Sequence, residues 1–206
     1  MIVLSTIQKR GNVTFPEFTG ERIYMQPFTK REGLPQGMSR WQPTVDQMLE
    51  GIETDGPIFI MVDQKEIPAG TPQRRPGVHI DGIWRPASSW DTGGWKTGIG
   101  MHTGTGRHGT NKEQAALAAR DGIHTQSLML ASDVAGCRAF EGPYEGECGE
   151  GGDFTHLDLD GLKSFILTPN TAWVGDAMTL LHESVPVARQ CRRTLVRLNI
   201  SNWMPA

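Results

Sequence analysis

Apolar residues recur along this chain in short runs rather than at helical spacing. The segments RIYMQPF (22–28), PIFIMVD (57–63), GVHID (77–81), HTQSLMLAS (124–132) and GCRAFEG (136–142) each read as a strand, as do FTHLDL (154–159), SFILT (164–168), DAMTLLH (176–182) and TLVRLNIS (194–201). Turn formers separate them, such as Pro-Asn-Thr at 169–171 and Gly-Asp at 175–176. Beyond residue 123 strand follows strand at the spacing of an all-β sandwich or barrel. Only two segments read as helices. TVDQMLEGI (44–52) has Thr44 as cap and Gly51 near its stop; TNKEQAALAARDG (110–122) is capped by Thr110 or Asn111 and ended by Gly122. The second presents mostly alanine, so it should pack lightly on a larger surface.

Residues 85–109 break this rhythm with seven glycines and two tryptophans. A loop of that length inside a domain is commonly a lid or a binding loop. It is read as a Gly/Trp-rich insertion within one domain spanning 1–206, since no linker is long enough to split the chain. Trp84, Trp90 and Trp95 are either core plugs or the walls of a site. Composition narrows the class further. A net charge of −3 gives no reason to expect non-specific nucleic-acid binding. The three cysteines, Cys137, Cys148 and Cys191, lack any framework spacing, which points to a reducing, cytoplasmic setting. The first residues carry no cationic region ahead of their apolar run, and no run is long enough for a membrane helix.

The candidate chemistry begins at His79-x-Asp81, between a Pro-Gly pair and a glycine. A strand-borne His182 lies about a hundred residues on, with Arg192 ten positions after it. Two histidines and a carboxylate leave three open positions on an octahedral ion, the set that suits non-haem Fe(II) in oxygenases. Strand alternation over 192–201 puts Arg192, Thr194, Val196, Leu198 and Ile200 on one face. That face is mainly aliphatic, so it is expected inward, carrying Arg192 to the mouth of the interior. Arg193 and Arg197 are expected toward solvent. A buried arginine needs an anion, and Thr194 beside it could add a hydroxyl.

On PGVHIDG, LHESVPVARQCRRT and the PNTAWVGD turn, the sequence resembles the Fe(II)/2-oxoglutarate-dependent oxygenase superfamily, in its prolyl-hydroxylase-like H-x-D…H…R pattern. The resemblance implies a mainly β fold, a double-stranded β-helix of jelly-roll or cupin-like type with a few flanking helices. It implies that His79, Asp81 and His182 hold iron and form the catalytic centre. Arg192, with Thr194, would bind 2-oxoglutarate, and O₂ would be the other co-substrate. Arg193 follows at once, so a one-residue slip would exchange the anchors. Trp84, Arg85 and Trp95 are candidates for substrate contact. The substrate class stays open between a nucleobase or nucleic acid, a small metabolite and a protein side chain; Arg74, Arg75, Arg85, Lys96 and Arg107 would be the phosphate contacts for the first.

Other readings compete. His156-x-Asp158 repeats the motif but lies only 26 residues before His182, too close for two metal-bearing strands of a jelly roll. His102 and His108 read as loop histidines, with lid or substrate contact as the sharper alternative. GTGRHG (104–109) matches G-x-G-x-x-G without the apolar strand a dinucleotide site requires. A cupin-like protein holding another metal would want a third histidine or a glutamate. Finally, His79, Asp81 and His182 could be a satisfied polar cluster in a non-catalytic barrel used for binding or assembly.

Overall fold

The computed structural model describes residues 1–86, 106–110 and 112–206. The strands are β1 (Ile2–Ser5), β2 (Gln8–Asn12), β3 (Arg22–Phe28), β4 (Ile58–Ile67), β5 (Ile83–Pro86), β6 (Gly106–Gly109), β7 (Gln126–Ser132), β8 (Cys137–Glu145), β9 (Lys163–Ile166), β10 (Thr171–Asp176), β11 (His182–Ser184) and β12 (Cys191–Ser201). The helices are α1 (Gln42–Met48), entered through a 3₁₀ turn at Gln36–Trp41, and α2 (Lys112–Arg120). Six strands form one antiparallel sheet in the order β2-β10-β7-β12-β4-β3. A smaller sheet is built on β8, which pairs with β1, β11 and β9. β5 and β6 make a separate hairpin. This is the mainly β architecture expected from the strand spacing, compatible with the jelly-roll type that the resemblance implies.

Three apolar clusters hold the layers together. The outer face of the large sheet, with Ile58, Ile60, Val196, Leu198 and Ile200, is covered by Trp41, Val45 and Met48 of the α1 region. Its inner face contributes Phe59, Met61, Leu128, Leu130 and Leu195 to a cluster shared with Ala139 of β8 and with Trp84. Val78, Ile80, Phe140, Phe154 and Leu181 form a third cluster on the other side of the small sheet. β4 and β12 are therefore buried on both faces, and that decides how β12 must be read. Each large side chain buried there contributes about 1.5–3 kcal/mol.

The structure departs from the sequence pattern in several places. Residues 154–159 are turns, not a strand, although Phe154 still enters the third cluster. His79 belongs to no extended strand; it makes isolated antiparallel bridges to Asp153 and His182. DAMTLLH is divided. β10 stops at Asp176, whose carboxylate accepts from the Met178 amide at 2.8 Å, and the resulting turn delivers the chain to β11 at His182. An aspartate following a glycine favours this local cap over continued pairing. β1 and β2 carry no clear alternation and were not anticipated. Of the insertion at 85–109, Trp90, Trp95, Lys96 and His102 lie outside the described residues. The backbone of its end closes β6 against β5, Trp84 opposite His108. Among the described residues, no helix is long and apolar enough to cross a membrane.

Candidate metal centre

Alternation places the ligand candidates. Val78 and Ile80 point into the outer cluster, so His79 and Asp81 point the opposite way, between the sheets. Leu181 likewise points outward and His182 inward. The peptide groups of His79 and His182 then pair reciprocally, each amide donating to the other's carbonyl at 3.0 Å. Directly opposed residues of an antiparallel pair present side chains on one face. The two imidazoles accordingly lie 4.5 Å apart, centroid to centroid. His79, Asp81 and His182 each bring a ligand atom into one group, all within 4.8 Å of one another. No other such group of three or more occurs among the described residues.

Glycines make this close approach feasible. Gly152 accepts from the Ile80 amide, between the two ligand positions, and has φ +80°. A Cβ there would come within 2.2 Å of the Ile80 carbonyl oxygen.

Both histidines engage a carbonyl through Nδ1, His79 with Gly77 at 2.7 Å and His182 with Leu180 at 3.2 Å. A carbonyl only accepts, so Nδ1 carries a proton in each ring, and Nε2 is the atom through which a neutral ring would ligate. Burial, with His182 alongside, pushes the His79 pKa down to about 4 against the pull of Asp81, so the ring is neutral at pH 7. Asp81 Oδ2 accepts from Arg197 Nη1 at 2.8 Å and lies 3.8 Å from His182 Nε2. Two imidazoles and a carboxylate, converging between the sheets, form a donor set suited to a divalent ion.

The orientation of the arginines is the reverse of that expected. Arg192 points outward: its side chain is 68% exposed, ion-pairs with Glu66 at 2.9 Å and stacks over Phe18. Thr194 shares that face of β12, and its hydroxyl accepts from Gln64. Arg193 is fully buried, donating to the Val134 carbonyl at 2.8 Å and to Gln73 at 2.6 Å. Arg197 is also buried. The apolar face of β12 is indeed covered, but by the α1 layer; the polar face is the one that looks into the barrel. The pattern that could have revealed this is in β4, where Ile58–Val62 is apolar at every position and so marks a strand buried on both sides. Because the Arg192–Glu66 pair is exposed, Arg192→Ala should change the unfolding free energy by less than about 1 kcal/mol in denaturant titrations.

The remaining candidates are dispersed. Trp84 is buried, meets Tyr24 edge-on, and its backbone N–H and C=O both bond Gln126. Arg85 ion-pairs with Asp121 at 2.9 Å. Arg74 pairs with Asp63, and Arg75 donates to the Gly151 carbonyl. His156 is exposed and stacked on Phe154, apart from the triad. Sequence reasoning missed Arg197, Asn199 and Gln126, which form a buried polar chain, and Trp173. The Trp173 indole N–H is buried without an acceptor among the described residues, and Trp173 lines a cleft together with Arg193, Cys137 and Thr168.

No family model matches the chain, and no curated protein matches it. Similar solved structures include the crystal structure of AviO1 from Streptomyces viridochromogenes Tue57, 14% identical over 95% of this chain and 76% of that one, with a TM-score of 0.40. The crystal structure of EvdO2 from Micromonospora carbonacea var. aurantiaca, complexed with 2-oxoglutarate, is 12% identical over 89% of this chain and 70% of that one, with a TM-score of 0.37.

Proposed function

We propose that this protein is an Fe(II)- and 2-oxoglutarate-dependent dioxygenase that hydroxylates an organic substrate. The observation that carries the reading is the orientation of the two histidines. Their Nδ1 atoms are fixed on backbone carbonyls, which leaves Nε2 of each ring as the atom to ligate a metal ion, in one group with Asp81. His79, Asp81 and His182 would hold the iron and leave three positions for exogenous ligands. When bound, iron and 2-oxoglutarate supply the oxidation, with O₂ consumed and succinate and CO₂ released.

The chain's own residues bind and exclude water. Arg193, in place of Arg192, is the anchor for the far carboxylate of 2-oxoglutarate. It is a buried cation on the inward face of β12, and the unpartnered Trp173 N–H beside its cleft offers a second donor to an anion. Trp84 and the apolar residues around it wall off the interior.

The reading is tested by adding Fe(II) and 2-oxoglutarate to the protein under anaerobic conditions. The expected result is a weak visible charge-transfer band in the wild type and none in His182→Ala. If the wild type shows no band and binds no divalent ion, the triad is a structural polar cluster in a non-catalytic barrel.

A further inference from the structure

Asp81 is held from the far side of the barrel. Arg197 Nη1 donates to its Oδ2 at 2.8 Å, and the two side chains are only 8% and 13% exposed. Arg197 is itself fixed: Nε donates to Asn199 Oδ1 at 3.1 Å and Nη2 lies 3.5 Å from Met25 Sδ. Asn199 donates in turn to Gln126 Oε1 at 2.9 Å. Gln126 clasps Trp84, accepting from its amide at 2.6 Å and donating to its carbonyl at 3.0 Å, and also donates to Ser201 at 3.1 Å. This chain of buried polar groups crosses β12 and β7 and ends on β5, three residues beyond Asp81 in sequence. The loop carrying the carboxylate is thereby tied to the large sheet at Asp81 and again at Trp84.

We infer that Arg197 is a positioning residue that aims the Asp81 carboxylate at the two histidines and sets how it binds a metal ion. The inference rests on the metal-binding reading above. The histidines need no such device, because their backbone pairing already fixes them. The amide of the residue after Asp81, Gly82, bonds Ala177 on the β10–β11 turn, at a position with φ +74°. A carboxylate beside such a glycine rotates unless its oxygens are engaged, and the planar guanidinium fixes direction as well as charge. Partners of ligating groups matter to metal sites on the scale of 10–100-fold in affinity.

The roles of charge and direction separate in two variants. Arg197→Met removes both; Arg197→Lys keeps the charge and loses the fork. Co(II) is titrated into wild type and variants without 2-oxoglutarate, with the visible ligand-field bands and the dissociation constant as readouts. The expected result is an affinity loss of about 10–100-fold and displaced bands for Arg197→Met, with a smaller loss and displaced bands for Arg197→Lys. A residue that only supports the core would lower the melting temperature and leave the bands of the loaded protein unchanged. Wild-type affinity and bands in either variant that folds overturn the inference, as does tighter binding with unchanged bands. Should Arg197→Met fail to fold, the Lys variant decides alone. If wild-type protein binds no Co(II), it is the metal-binding reading that fails.

Discussion

Replacing Arg193 by leucine is expected to weaken 2-oxoglutarate binding by about 100-fold or more, because truncating one partner of a buried, hydrogen-bonded charge pair costs roughly 2–5 kcal/mol. Arg192→Ala is expected to leave binding within about twofold, since its side chain faces solvent and already pairs with Glu66. The measurement is an anaerobic titration of the Mn(II)-loaded protein with 2-oxoglutarate, followed by calorimetry. Arg193 also bridges Val134 and Gln73, so the leucine variant loses structural bonds too. Retained Mn(II) affinity shows that the triad has survived the substitution. Arg193→Lys keeps the charge but not the fork and should lie between the two. Strong binding in Arg193→Leu together with loss in Arg192→Ala would return the anchor to the outward face and contradict the orientation of β12.

The second large effect is on stability in acid. In the folded apo-protein, burial lowers the His79 pKa from 6.5 to about 4, with the neighbouring His182 adding to the shift. The unfolded chain takes up this proton near pH 6.5, whereas the folded protein resists it until pH 4. The unfolded state therefore binds more protons throughout that window, and stability rises with pH across it. The contribution is complete above pH 6.5 and is lost as the solution is acidified toward pH 4. It amounts to roughly 3 kcal/mol, given 1.36 kcal/mol per pKa unit. His79→Gln keeps a polar group of similar reach without the titration. Denaturant unfolding at several pH values, with a chelator present, should give wild-type protein the steeper acid decline. Parallel curves for the two proteins would mean that His79 is hydrated and titrates normally. Above pH 7 the neutral ring is ready to ligate, so the ion need not displace a proton from it.

How much could be read from the residues differs between the site and its surroundings. The H-x-D pair is legible as two potential ligands between a Pro-Gly pair and a glycine, and its alternation with Val78 and Ile80 explains in the structure why both side chains face the same way. His182 was reachable by distance along the chain. Its partnership with His79 was not, because it depends on a backbone pairing that β11 extends only after the Asp176 turn has re-aimed the chain. The arginines were misjudged for a physical reason. The rule that the apolar face turns inward presumes one buried face, whereas β12 has two. The aliphatic one belongs to a layer against α1, and the polar one lines the interior, where Arg197 meets Asp81. The strand-like FTHLDL failed because alternation alone does not supply a neighbouring strand. Phe154 and Leu157 find their contacts from turns.

The pairing of β4 with β12 also bears on how the protein reaches its native state. Gln64 and Thr194 are opposed in this ladder although 130 residues separate them in the chain. Closing so large a loop must come before the contacts that reward it, which places the fold among slow, non-local topologies with folding times of roughly milliseconds to seconds. Until β12 arrives, β4 has one flank without its strand, and its apolar run Ile58–Val62 is open to pairing with other chains. Arg193 and Arg197 ride on that same late strand. Burial of these arginines and closure of the sheet are then one event, so no partly folded form would hold Arg197 against Asp81 before the protein is complete.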